Sequence, residues 1–338
     1  MAKSALFQTS QQTNVIIGTE ATFGTKAATG ATRIHMPVTS YSFSEVANHT
    51  LAVAPFRAGA GGATQSTEMV KAQRHDRMYE ITLEFMGSPQ AINRVCLALF
   101  GDDDGTNALI GSMPTTSNIS GSTAVPVTIY FDKGSASAAD TAISFKSCMC
   151  SSFTLSGDIG GNGGVIMGSA TFVTGFNPDK ANISFSGGTE TTIAAQSSYF
   201  NMHDLSATTI TPSGGSAEDL VLFSFELNIA RAVNRVGFDT AANSFVPLGY
   251  VVGGYEVTGS MTVKRDAESD SAITYADTAE PVCAVSITDG TFAIAAPKAI
   301  IDQASINFDE DGFKSVIPFR CTYDAANTSN TVVSISTA

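Results

Sequence analysis

The tetrapeptide Tyr79-Glu80-Ile81-Thr82 returns in the second half of the chain as Tyr255-Glu256-Val257-Thr258, and the surroundings of the two copies match in kind. The first copy starts from an alternating segment, Ser40 to Glu45, crosses a loop containing Gly59, Gly61 and Gly62 to the Tyr79 strand, and ends near Phe176. The second starts from Phe223-Ser224-Phe225-Glu226-Leu227, crosses a loop containing Gly, Asn and Pro to the Tyr255 strand, and ends near Tyr323. One unit is written twice, which predicts a first domain over 1–177 and a second over 178–338, with 178–219 serving as linker plus strands. Repeated β-units without catalytic motifs usually act by assembling into something larger.

A length of 338 residues fits two domains, each able to bury a core without staples. Charged residues make up only 14% of the chain and Trp is absent, a composition that suits strands and turns better than long helices. Met1 to Asn177 holds 10 Lys/Arg against 12 Asp/Glu and Pro178 to Ala338 holds 8 against 19, so the two parts contribute −2 and −11 to the net charge of −13. An acidic chain lacks the cations that neutralise phosphates, which argues against tight nucleic-acid binding while leaving room for DNA that passes without sticking. The five cysteines, Cys96, Cys148, Cys150, Cys283 and Cys321, have no repeated spacing and are expected to be reduced thiols. Met1 to Phe7 has no apolar export core and no stretch nears the ~20 apolar residues of a membrane span, so the expectation is a soluble chain made in a cytoplasm, with no membrane partner.

The dominant apolar period is two. Phe153 and Leu155 alternate with polar neighbours, as do Val127, Ile129 and Phe131, Phe223 to Ile229, and Ile306 and Phe308, which predicts half-buried antiparallel strands. Asp158 to Gly164, Asp289-Gly290 and Asp309-Glu310-Asp311-Gly312 read as hairpin turns. One helix is predicted after the Tyr79 strand: Ser88 caps it, Pro89 suits its first turn, Ile92, Val95, Cys96 and Leu99 share a face, and Gly101 stops it. The matching stretch Ala267 to Ala276 is broken up by Asp and Ser and predicts a poorer helix. Ala47 to Met78 reads as a long connection, of the kind that often binds something, and the Arg231 to Tyr250 loop matches it in position.

Asp102-Asp103-Asp104 lacks the alternating spacing that converges oxygens on one cation, and Asp309 to Gly312 lacks the order and closing Glu of a calcium loop. The glycines from Gly157 to Gly164 lie between strands and carry no Lys-Ser/Thr, so they do not form a phosphate cradle. Cys148 and Cys150 share a strand face without a Cys-x-x-Cys or a nearby His to complete a metal shell, and read as packed thiols. His35, His49, His75 and His203 stand in no nucleophile-and-base pattern. No catalytic residue, metal site or cofactor is therefore assigned, and the chain is not expected to be an enzyme. The basic cluster Lys71, Arg74, His75 and Arg77 is either a solvated face or, as Lys71, Arg74 and Arg77, an inter-subunit patch that docks on acidic surface of a neighbouring copy.

The opening Gly18-Thr19-Glu20-Ala21-Thr22-Phe23-Gly24-Thr25, then a strand, a long loop, a strand of the form Tyr255-Glu256-Val257-Thr258-Gly259-Ser260-Met261-Thr262-Val263 and a closing Gly-turn hairpin, resembles tailed-bacteriophage tail tube proteins over nearly the whole chain. The first copy departs from that form, with Leu83-Glu84-Phe85 where the second has Gly259-Ser260-Met261. The resemblance implies a mainly β chain: two tandem tail-tube-like β-sandwich or half-barrel domains, each with a flanking helix that is poorer in the second, assembling into a β-barrel-lined tube. It further implies a structural virion protein of the tail, assembled in the host cytoplasm from trimeric, pseudo-hexameric rings that stack into a negatively charged conduit for genome DNA ejection. Its partners would be other copies of itself, a tape measure protein, tail-end proteins and transiently passing double-stranded DNA. Glu80, Thr82 and Glu84 share one strand face and Glu256, Thr258 and Ser260 the equivalent one, and these are the candidate lumen-facing residues. The alternatives are an outer solvated face for those residues and, for the chain, a capsid-decorating protein, a surface adhesin or a β-sandwich hydrolase. The loops Ala47 to Met78 and Arg231 to Tyr250 are expected to mediate stacking.

Overall fold

The computed structural model describes residues 13–27, 33–52, 71–101, 106–110, 125–132, 142–181, 199–238, 246–270, 282–302, 305–309, 312–322 and 331–337. The first half contributes β1 (Asn14–Thr19), β2 (Arg33–Met36), β3 (Val38–Ala52), β4 (Lys71–Met86), α1 (Pro89–Phe100), β5 (Thr106–Ile110), β6 (Val127–Asp132), β7 (Ala142–Asp158), β8 (Met167–Thr174) and β9 (Asp179–Ala181). The second contributes β10 (Ala207–Pro212), β11 (Glu218–Asp219), β12 (Leu222–Phe238), β13 (Pro247–Lys264), β14 (Val282–Thr288), β15 (Phe292–Ile301), β16 (Ser305–Asp309), β17 (Gly312–Cys321) and β18 (Thr331–Thr337). The protein is mainly β, and its strands form one large antiparallel sheet that does not close.

The order of pairing recurs. In the first half β2, β1, β6, β7 and β9 pair in succession, and β3, β4, β8 and β7 make a second run. The second half repeats this as β11, β10, β14, β15 and β18, and as β12, β13, β17 and β16. β7 belongs to both runs of its half: Ala142 to Cys148 pairs with β6, and Met149 to Ser156 with β8. Register shifts and a left-handed Ser147 (φ 49°) mark the crossing, as expected where a strand turns a corner between layers. In the second half the same task is shared by β15, which pairs with β14 and β17, and β16.

The core lies between the two runs and under α1. β4 contributes Ile81, Leu83 and Phe85, β7 Phe153 and Leu155, and β8 Ala170 and Phe172, all inward on alternate positions. The departure noted between Leu83-Glu84-Phe85 and Gly259-Ser260-Met261 has a packing cause. In the first half Phe85 of β4 lies over Gly168 of β8, whereas in the second Phe319 of β17 lies over Gly259 of β13. The same space is filled by an aromatic ring lying over a glycine, with the strands exchanged.

α1 forms as the sequence dictates. Ser88 caps it by accepting from the Ala91 amide at 3.4 Å, Pro89 opens it, Ile92, Val95, Cys96 and Leu99 are buried, and Gly101 ends it at φ 84°. Residues 267–270 are helical after β13, capped by the reciprocal bonds of Asp266 and Ser269, and the rest of that expected helix lies outside the described residues.

Two elements depart from the pattern of the sequence. Val127 to Phe131 was expected to be half-buried, but every residue of β6 is buried, because β6 lies between β1 and β7 and residues 20–27 cross its second face. Ala47 to Met78 and Arg231 to Tyr250 were expected as loops, but the β3–β4 ladder continues to Ala52 opposite Lys71 and the β12–β13 ladder to Phe238 opposite Pro247. A two-stranded ribbon beyond the sheet satisfies its backbone without a core to cover, so its sequence need not alternate. Residues 53–70, which include Gly59, Gly61 and Gly62, lie outside the described residues, as do Asp102-Asp103-Asp104 and Glu310-Asp311.

Candidate functional site

The two halves meet edge to edge. β7 pairs antiparallel with β12 from Ser152 opposite Ala230 to Asp158 opposite Ser224, which joins the two four-strand runs into one of eight: β3, β4, β8, β7, β12, β13, β17, β16. A second ladder, β5 with β18, ties the halves again.

One face of this run covers the core and the other is mainly polar across both halves, with Met86, Met167, Val173, Val316 and Pro318 among its side chains. Its side chains fall into rows. Ser40, Glu84, Ser169, Thr154, Asn228, Thr258 and Arg320 stand opposite one another in succession across seven strands. The next row passes through Ser42, Thr82, Thr171, Ser152, Ala230 and Glu256. All six candidate residues, Glu80, Thr82, Glu84, Glu256, Thr258 and Ser260, therefore belong to one continuous face, with their carboxylates exposed. Short contacts order the face: Ser40 Oγ donates to Glu84 Oε2 at 2.6 Å, the Thr82 and Thr171 hydroxyls are 3.2 Å apart, and Thr154 Oγ1 donates to Asn228 Oδ1 at 3.3 Å. Among the described residues the face carries the carboxylates Glu80, Glu84, Asp158, Glu226 and Glu256, and the cations Lys264, Lys314 and Arg320, the last 3.5 Å from Glu256. Such a surface can be wetted and can repel an anion weakly, and among the described residues it presents few cations to bind phosphates.

The junction is held beneath this face by Arg231, which the sequence reading did not single out. It is buried on β12 and donates to three groups: Nε to the Cys150 carbonyl at 2.9 Å, Nη1 to Tyr255 Oη at 2.8 Å and Nη2 to the Ala98 carbonyl at 3.3 Å. Tyr255 Oη in turn donates to the Leu99 carbonyl. A residue of the second half thus satisfies the orphan carbonyls at the C-terminus of the first half's helix, where the helix dipole also favours a cation. Nothing in the local sequence signals this, because Ala230-Arg231-Ala232 reads as an exposed loop start.

The motif Gly18 to Thr25 forms a strap. Glu20, 6% exposed, accepts from the Ser147 amide at 2.6 Å, Thr128 Oγ1 at 2.6 Å and Ser147 Oγ at 2.7 Å, and the Gly24 amide donates to Ser147 Oγ at 2.7 Å. Burial pushes the Glu20 carboxyl above its ordinary range, against the pull of these donors and of Lys146. Phe23 from the strap packs against Phe176 and against Tyr250 of the β12–β13 ribbon, whose hydroxyl accepts from the Gly175 amide at 2.7 Å.

Cys148 and Cys150 are packed thiols that donate to the Phe145 and Ser152 carbonyls, and burial pushes Cys150, Cys283 and Cys321 up to about 12. Lys71, Arg74 and Arg77 are on the far part of β4, opposite Ala52, His49 and Ala47, and their side chains lie outside the described residues. Comparison with protein-family models and with curated proteins finds no match.

Proposed function

We propose that the protein is a structural virion protein that builds a phage tail tube, with the polar face of the eight-strand run lining the channel. The observation that carries this reading is the repetition itself: one four-strand order occurs twice, and the two copies join edge to edge into a single run of eight strands with one continuous, mainly polar face. Three chains would bring 24 strands to a ring. At ~4.8 Å spacing and ~40° tilt the backbone diameter is about 48 Å, or about 38 Å after side chains, wide enough for duplex DNA and its water. A lining with a small excess of carboxylates over cations lets a polyanion slide, because it offers little counterion release to reward binding.

The ribbons fit the stacking of rings. β12–β13 extends past its neighbours and carries exposed Val236, Leu248 and Val251, apolar side chains that a second ring would cover. Passing partners and tail-end proteins would then meet the chain only in assembled form, and no catalysis or cofactor enters the proposal.

Negative-stain electron microscopy of the concentrated protein tests it. Hollow tubes or rings with threefold symmetry are the expected result, and single chains at every concentration would return the protein to the class of decoration proteins or adhesins.

A further inference from the structure

The internal junction has a counterpart that is open among the described residues. Glu45 stands opposite Tyr79 as Arg231 stands opposite Tyr255, so positions on β3 match positions on β12: Phe43 corresponds to Ile229 and Tyr41 to Leu227. On β12 these side chains are sealed, with Ile229 at 0% and Leu227 at 1% exposure, because β7 is paired alongside them. On β3 the same positions lie at an edge, since among the described residues β3 pairs with β4 alone, and Phe43 is 55% exposed with its ring against Phe131 and Phe145 on its own side. At the far end of the run, β16 pairs among the described residues with β17 alone.

We infer that the β3 edge of one chain receives the edge formed by β16 and the end of β15 of a second copy, in the register of the β7–β12 junction, with Phe43 as the apolar anchor at the place of Ile301, which pairs with Phe319 as Phe153 pairs with Ala170. The register follows from the repeat. Glu226 faces Ser156 at the internal junction; Ser40 holds the place of Glu226, opposite Glu84 as Glu226 is opposite Ser260. Ser305 holds the place of Ser156, since Ser156 is opposite Met167 and Ser305 opposite Val316, four residues before Thr171 and Arg320, which are themselves opposite Thr82 and Thr258. Ser40 of one chain therefore faces Ser305 of the next. The contact joins unlike edges, so it is heterologous and propagates until it closes on itself. It also covers two open edges that would otherwise template uncontrolled pairing. The seam is not a copy in every detail: Glu45 occupies the place of Arg231, so the carbonyl-binding cation of the internal junction is replaced by a carboxylate and the seam relies on the ladder and on Phe43. This inference rests on the ring reading in requiring a second copy.

Both serines are exposed and the native thiols are buried, which makes cysteine pairing a direct test. Chains carrying Ser40→Cys are mixed with chains carrying Ser305→Cys under mild oxidation. The expected product is a covalent dimer from the mixture only, and a covalent ring from the double variant. Ser44→Cys mixed with Ser305→Cys should not link, because four residues of slip exceed the roughly 7 Å Cα limit of a disulfide. Phe43→Asp is expected to weaken association by roughly tenfold to a hundredfold, the range that follows from burying one Phe side chain. Rings on the grid with no Ser40–Ser305 link and with Phe43→Asp assembling normally would overturn the register and anchor while leaving the tube standing. A wild-type chain that never self-associates would overturn both.

Discussion

Replacing Arg231 by Met isolates what holds the two halves together. The substitution keeps the aliphatic stem and removes the fork, leaving the Cys150 and Ala98 carbonyls without their donor and Tyr255 with one partner fewer. Each buried carbonyl deprived of its bond costs about 1–3 kcal/mol, and the guanidinium no longer has to be desolvated, so the net loss is about 2–4 kcal/mol. With an unfolding entropy of roughly 2.1 cal/mol/K per residue over a cooperative chain of this length, the midpoint should fall by about 3–6 °C. Calorimetry measures that, and hydrogen exchange locates it: the amides around Gly101 and Ser152 should lose protection while those of β14 keep theirs. Arg231→Lys should recover less than half of the loss, since one ammonium cannot span three acceptors. A midpoint within 1 °C of wild type with unchanged exchange at Gly101 would refute the claim that this side chain fastens the junction.

Glu20→Gln should change the pH dependence of stability. Because the folded carboxyl binds its proton more tightly than the unfolded one, its contribution is greatest below the ordinary carboxylate range and is lost as pH rises through the raised value. Wild type should therefore gain on the variant between about pH 7 and about pH 4, and a difference that is flat or of opposite slope across that window sinks the assignment. Gly259→Ala should cost about 1–3 kcal/mol in denaturant titration, because its Cβ would meet the Phe319 ring and stand 2.9 Å from the Glu226 carbonyl oxygen. Gly249→Ala, with nothing within 4 Å of the added carbon, should be neutral or slightly stabilising, and equal effects at the two sites would contradict the packing argument.

The sequence disclosed what depends on near neighbours. The cap, face and stop of α1 were legible because each is set within one helical turn, and β4 and β13 announced themselves through a repeated tetrapeptide and strict alternation. Candidate face residues could be named for the same reason: alternation alone puts Glu80, Thr82 and Glu84 together. Features created by distant chain segments were not legible. β6 alternates like a half-buried strand, and only the strap anchored by Glu20 makes its other face interior. The equivalence of β1 with β10 leaves no trace in residue identity, since a ladder constrains backbone and burial, not side-chain type. The β7–β12 joint was hidden because an edge strand and an internal one carry the same pattern, and Arg231 was hidden because its acceptors are main-chain carbonyls, which no sequence spells.

β7 takes part in ladders with β6, β9, β8 and β12, so one strand runs through both layers of the first half and is bonded along its length to the second. A hinge needs a few residues whose torsions can change without cost, and here the boundary between halves is crossed by paired strands at two places. Bending the halves against each other would peel a ladder apart, which sets the stiffness of the chain by backbone hydrogen bonds and not by the softer repacking of side chains. Load applied at one end of the run is carried as in a plank, with the strap at Ser147 and the joint at Ser152 only five residues apart on the same fibre. Mechanically the polypeptide is a single stave, and its two repeats have given up independent movement.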